Sequence, residues 1–229
     1  MLPAKLQKYL AEFLATFFLV FVGTGSIIVN ELAPIKLNTL SVSLVFGFIV
    51  LAMIYTVGHI SGAHMNPAVT LSFALTKKFP WRETPLYILA QILGATLASL
   101  TIKFIFNPTF SNLGATVPAF SQAQAFWLEY FSTLLLMFVI MGVATDHRAE
   151  GVMAGVAIGG TVSLLAIFAG PISGASMNPA RSFGPALISG HWNGHYIYWL
   201  APILGAFTGA FFYQQIRCVS KDPSSHGCC

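Results

Sequence analysis

Ser61-Gly-Ala-His-Met-Asn-Pro-Ala68 returns as Ser173-Gly-Ala-Ser-Met-Asn-Pro-Ala180, 112 residues downstream and identical at seven of eight positions. Asn-Pro is a helix-start signal. Asn is among the best N-caps, and Pro suits the first helical position, where its missing N–H would have been unpaired anyway. Each copy therefore opens a short apolar helix inside a chain that otherwise reads as membrane. Two such starts, one per half, predict paired half-helices that meet at a shared site within a bilayer.

The composition supports that setting. Of 229 residues, 56% are hydrophobic and 8% charged, with a mean hydropathy of +0.76, whereas a soluble domain carries about 25% charged residues. The formal charge of +4 does not point to nucleic acid, because the basic residues are scattered at the ends of apolar runs, where they act as topology determinants. Cys218, Cys228 and Cys229 crowd the last dozen residues, which leaves no disulfide framework. Lys5 and Lys8 precede a long apolar run without a small-residue cleavage site, so the run is expected to stay as a first span.

Apolar runs of spanning length fall near 9–30, 38–57, 84–106, 126–145, 151–169 and 196–216. A polar, uncharged segment, Asn107 to Gln124, joins the third to the fourth. The repeat reaches beyond the two Asn-Pro copies: Glu12-Phe-Leu-Ala-Thr16 aligns with Glu129-Tyr-Phe-Ser-Thr133, and Ala90-Gln-Ile-Leu-Gly-Ala95 echoes in Ala201-Pro-Ile-Leu-Gly-Ala206. Gly94 and Gly205 in this last pair suit close helix crossings. Three spans per half is an odd number, so the second half crosses the membrane inverted. The reading is an all-α membrane protein with six transmembrane helices and two re-entrant half-helices. With both termini in the cytoplasm, eight basic residues (Lys5, Lys8, Lys77, Lys78, Arg82, Arg148, Arg217, Lys221) face inside and two, Lys36 and Lys103, face outside, as the positive-inside rule requires.

From Pro67 to Lys77 is 11 residues, about 16 Å of helix against a hydrocarbon core of about 30 Å, so the segment reaches half way. Non-helical backbone at that depth must be buried in protein or line a water-filled cavity, and the Ser-Gly-Ala stretch before each Asn can supply lining carbonyls. The two N-termini bring positive dipole ends together. Asn66 and Asn178 cap their own helices through the side-chain oxygen, leaving the amide NH2 free to face a lumen. A solute oxygen there meets donors and a positive potential, which suits water or a hydroxyl and repels cations.

The two Asn-Pro-Ala triplets (Asn66, Pro67, Ala68 and Asn178, Pro179, Ala180), with Gly58-His-Ile-Ser-Gly-Ala-His64 before the first and Arg181-Ser-Phe-Gly-Pro185 after the second, resemble the aquaporin (major intrinsic protein) family. The resemblance covers nearly the whole chain and is nearest to the nodulin-26-like branch and its bacterial relatives. It implies one channel domain over 1–229, with inverted repeats at about 8–106 and 126–216 and a disordered cytoplasmic tail at 217–229. It also implies a passive pore for water and small neutral solutes that excludes protons and ions, a homotetramer, no enzymatic activity, no cofactor and no metal. A narrow filter is implied at Phe46, Ala166, Ala175 and Arg181. Glu12 and Glu129 are implied to brace the carbonyl-lining loops. His59 and His64 are given loop bracing or the inner vestibule rather than a metal site, because no third ligand accompanies them.

Strict water channels of the family place His where this chain has Ala166. Two alanines beside Phe46 leave a wider, more apolar filter, like those that pass glycerol, urea or uncharged metalloid acids. Ser182, Ala186, Tyr198 and Trp199 match water-selective members instead, since glycerol facilitators have Asp directly after the arginine. Pore width decides what fits, so the expectation is water plus small neutral solutes, with a strict water channel as the alternative. A secondary transporter is the alternative from another class, because inverted repeats and broken helices occur there too. The Cys228-Cys229 pair fits either lipidation beside an existing anchor or an unmodified tail. Short loops and the lack of organelle signals lean toward a bacterial inner membrane.

Overall fold

A computed structural model describes residues 3–34, 36–107, 112–145 and 153–217. Arg148, Lys221, Cys218, Cys228 and Cys229 lie outside the described residues. Eight helices occur among those described: α1 (Ala4–Leu32), α2 (Thr39–Ser61), α3 (Pro67–Leu75), α4 (Thr84–Phe106), α5 (Gln122–Thr145), α6 (Ala154–Ser173), α7 (Pro179–Ser189) and α8 (Ile197–Ile216). The second four repeat the first four in order and length class, as the sequence repeat requires. An all-helical solution satisfies every backbone polar group within its own segment, the condition for crossing a bilayer.

The halves pack as matched pairs and then interlock. α1 lies along α4 as α5 lies along α8, and α1 and α2 pair as α5 and α6 do. The bridge between halves is α2 against α6, and each half-helix leans on the other half's last span, α3 on α8 and α7 on α4. Close approach explains the glycine echo. A Cβ on Gly94 would stand 2.3 Å from the Phe13 carbonyl oxygen, and one on Gly205 would stand 2.2 Å from that of Tyr130. The outward face of α4 carries Leu89, Leu93, Leu97, Leu100 and Phe104, all exposed, at helical spacing. A stripe of that extent suits lipid or another apolar surface rather than water.

The structure departs from the sequence reading at the last span and at the end of the first half-helix, besides shifts of a few residues at other helix ends. Five helices (α1, α2, α4, α5 and α6) are long and apolar enough to cross a membrane by length and composition. The sixth span, α8, packs on α5 as α4 packs on α1, but Tyr198, Trp199, Pro202, Tyr213, Gln214 and Gln215 dilute its hydropathy. The first half-helix stops at Leu75 rather than Lys77. Lys77 takes a left-handed conformation (φ 60°), and the backbone N–H groups of Lys78 and Phe79 both turn back to the Phe73 carbonyl at 2.8 and 3.1 Å, closing the helix end.

Candidate functional site

The two half-helices meet N-terminus to N-terminus. Asn66 caps α3 by accepting from Ala68 N–H at 2.9 Å, and Asn178 caps α7 by accepting from Ala180 and Arg181 N–H at 3.0 and 3.3 Å. The amides also cross between the halves. Asn66 Nδ2 donates to the Met177 carbonyl at 2.7 Å, and Asn178 Nδ2 donates to the Met65 carbonyl at 2.8 Å. This corrects the expectation of a free NH2 group: one N–H of each amide is committed to the opposite loop, and only the second remains for the lumen.

The segments ahead of each asparagine share one backbone path. Gly62, Ala63 and Met65 have φ of 86°, 47° and 51°, and Gly174, Ala175 and Met177 have 88°, 41° and 52°. Left-handed φ is costly for non-glycine residues and persists only where the surroundings enforce it. The enforcement comes from two buried carboxylates. Glu12 accepts from Ser61 Oγ (2.8 Å), His64 N–H (2.8 Å), Met65 N–H (2.7 Å) and Gln91 Nε2 (2.8 Å). Glu129 accepts from Ser173 Oγ (2.8 Å), Ser176 N–H (2.8 Å) and Met177 N–H (2.7 Å). Tyr87 and Tyr198 tie the starts of the loops by donating to the Ser61 and Ser173 carbonyls at 2.9 and 2.6 Å.

A cavity of about 530 Å³ runs past Lys78, His64, Asn66 and Asn178 to Arg181. A second, of about 540 Å³, is lined by Glu31, Asn38, Asn112 and Thr116 at the other end. The residues that line both are Phe46, Ala166, Ala175 and Arg181, so these four stand at the junction of the two cavities. The Arg181 guanidinium lies 5.1 Å from the centroid of the Phe46 ring, within cation–π range. Its Nη1 donates to the Gly114 carbonyl at 2.7 Å, while Nε is buried without a partner among the described residues.

His64 lines the first of these cavities, with Nδ1 3.1 Å from Thr70 Oγ1 and its ring against Phe73, Phe79 and Tyr87. His59, on α2, does not line either cavity. Its place on α2, a turn before the loop, leaves it exposed. Among the described residues no group of three His, Cys, Asp or Glu stands ready for a metal ion. Sequence reasoning assigned no loop-holding role to Gln91, Tyr87, Tyr198 or the Asn112–Thr116 stretch, Tyr198 being read there only for its likeness to water-selective members. The first three sit in the Ala90 and Ala201 repeat echoes or one turn before them, which was a usable signal. The stretch was read as a plain linker, yet Gly114 holds Arg181, and Thr116 Oγ1 meets Ser182 Oγ at 2.6 Å.

The family model for major intrinsic protein matches residues 2–213. The chain belongs to the major intrinsic protein family. It is therefore an integral membrane channel protein of a non-enzymatic family. Similar relatives include "Aquaporin NIP1-1" of Zea mays, 49% identical over 216 residues (94% of this chain, 77% of the relative), and "Nodulin-26" of Glycine max, 48% identical over 219 residues (96% and 81%). In fold it is similar to the aquaglyceroporin of Plasmodium falciparum, with a TM-score of 0.85 at 24% identity over 93% of this chain and 96% of that one.

Proposed function

We propose that this major intrinsic protein is a passive channel for water and small uncharged solutes such as glycerol, urea and uncharged metalloid acids. The observation that carries the reading is the junction itself: two cavities share four residues, two of them alanines. At that junction Phe46 supplies one apolar wall and Arg181 supplies donors. With Nη1 fixed on the Gly114 carbonyl, the guanidinium is held in one orientation, offers its other Nη N–H groups to a solute oxygen and repels cations by its charge. Ala166 and Ala175 leave room for a carbon skeleton beside that hydrogen bond. Deeper in, the remaining N–H of Asn66 and of Asn178 meets the solute oxygen, and the positive ends of α3 and α7 keep cations out. The loop carbonyls accept the solute's hydroxyl hydrogens in turn. Such names as nodulin-26 and aquaporin among the relatives, and the aquaglyceroporin likeness in fold, accord with this reading.

On the same footing we assign residues 1–229 to one channel domain with both termini cytoplasmic, assembled as a homotetramer with one pore per subunit. Glu12, Glu129 and His64 hold the loops, and His59 is assigned to the cytoplasmic end of α2 rather than to bracing. The relatives come from plants, so they lend nothing to the bacterial inner membrane, and the assignment stops at a cell membrane. Labelled-glycerol uptake into proteoliposomes tests the reading against a transporter. Uptake should rise in proportion to concentration and need no ion gradient; saturation together with gradient dependence would replace the channel with a carrier.

A further inference from the structure

The Phe46 ring owes its position to a missing side chain on another helix. Gly23, buried in the middle of α1, faces the ring edge. A Cβ placed on it would stand 2.4 Å from Phe46 Cε1, 2.7 Å from Cδ1 and 2.9 Å from Cζ. Carbon atoms settle at about 3.5–4.0 Å, so the ring occupies the space that any side chain at residue 23 would fill. Over the face of the ring stands the Arg181 guanidinium, 5.1 Å from its centroid, and Phe46 shares the lining of the junction with Ala166 and Ala175. The ring is therefore seated against a helix backbone at the junction, with α1 setting its depth.

We propose that Gly23 is a positioning residue that sets solute size: by letting Phe46 recess against α1, it keeps the opening wide enough for small polyols. Glycine in mid-helix costs about 0.5–1 kcal/mol relative to alanine, and here the cost is matched to a definite contact rather than to a turn or a cap. This role of Gly23 rests on Phe46 lining the filter, as proposed above. With a methyl group at residue 23, the ring edge must retreat by roughly 1 Å to regain ordinary contact. Arg181, held by Gly114, blocks one direction, so the ring swings toward the two alanines. Water, the smaller solute, loses least.

The test is the glycerol-to-water permeability ratio in proteoliposomes at matched channel density. Gly23→Ala should lower that ratio by on the order of fivefold, about 1 kcal/mol of differential barrier. Gly25→Ala, on the same helix, is the control: its Cβ would meet only Ile102 Cδ1 at 4.0 Å, and the ratio should stay as in the wild type. Phe46→Ala alone should raise the ratio, and adding Gly23→Ala to it should then change nothing. An unchanged or raised ratio in Gly23→Ala, or a fall that persists in the Phe46→Ala background, overturns the proposal. If Gly23→Ala does not accumulate, the double variant should restore accumulation; failure to do so also overturns it. Phe46→Ala with a wild-type ratio would instead remove the filter reading itself, so the two failures are distinguishable.

Discussion

At the residue scale, the proposed filter gives Arg181 and Ala166, which both line the junction, separate tasks: one to fix what is refused, the other what fits. A buried arginine is expensive in a bilayer unless it is paired or faces a polar cavity. Arg181 meets that condition with the Gly114 carbonyl, the Phe46 face and the cavity. Ala166→His should lower glycerol permeability by about tenfold, some 1.4 kcal/mol of barrier, while water permeability falls far less; equal losses at matched protein level would count against Ala166 as the width-setting residue. Glu129 is the clearest structural single site. Glu129→Gln replaces with an NH2 group one of the two oxygens that now accept from Ser176 and Met177 N–H at 2.8 and 2.7 Å, so one of those donors loses its acceptor. Leaving buried N–H donors unpaired costs about 1–3 kcal/mol each, so thermal unfolding in detergent should shift down by several degrees. An unchanged midpoint would mean the loop is held by its other contacts alone.

At the level of elements, the sequence made the half-helix starts legible because Asn-Pro is a local signal, and the duplication marked Glu12 with Glu129. The side chains that complete those networks were harder to see. Gln91 and Tyr87 reach the first loop from α4, and Tyr198 reaches the second from α8; such contacts depend on how helices cross, which no single segment encodes. The Asn112–Thr116 stretch was opaque for the same reason, since its polar, uncharged composition suits any connector. The crossings themselves can be tested. Gly94→Val and Gly205→Val each drive a side chain into a carbonyl 2.3 or 2.2 Å from the new Cβ. Overpacking of this kind costs about 1–3 kcal/mol or more, so both variants should lose most of their monodisperse peak in size-exclusion chromatography, and normal yield from either would contradict the packing described.

The turn before α8 adds a pH dependence. His195 Nε2 accepts from the Trp199 indole N–H at 3.1 Å, its ring meets Trp192 edge-on at 4.7 Å, and burial pushes its basicity down. The unfolded chain therefore takes up a proton more readily than the folded one. The contribution to stability is complete above the unfolded value of about 6.5 and is lost as pH falls through the lower folded value. Between about pH 7.5 and about pH 5, the wild-type melting midpoint should drop more than that of His195→Phe. Parallel curves would show that the imidazole does not titrate across unfolding.

For the whole molecule, the inverted repeat makes two halves share one path. Each half lends a half-helix to the other's last span, and each asparagine bonds to the other half's loop, so neither half can build the pore alone. Among the described residues, the two cavities share the lining residues Phe46, Ala166, Ala175 and Arg181. Passage of water and small polyols with refusal of protons is the central claim. Stopped-flow light scattering on proteoliposomes loaded with a pH-sensitive dye measures all of it at once, with water, glycerol and urea as osmolytes. The account predicts faster osmotic shrinkage than in empty vesicles, faster re-swelling with glycerol, and a dye signal no faster than the lipid leak. Rapid collapse of an imposed pH gradient, or glycerol entry no faster than in empty vesicles, would contradict it.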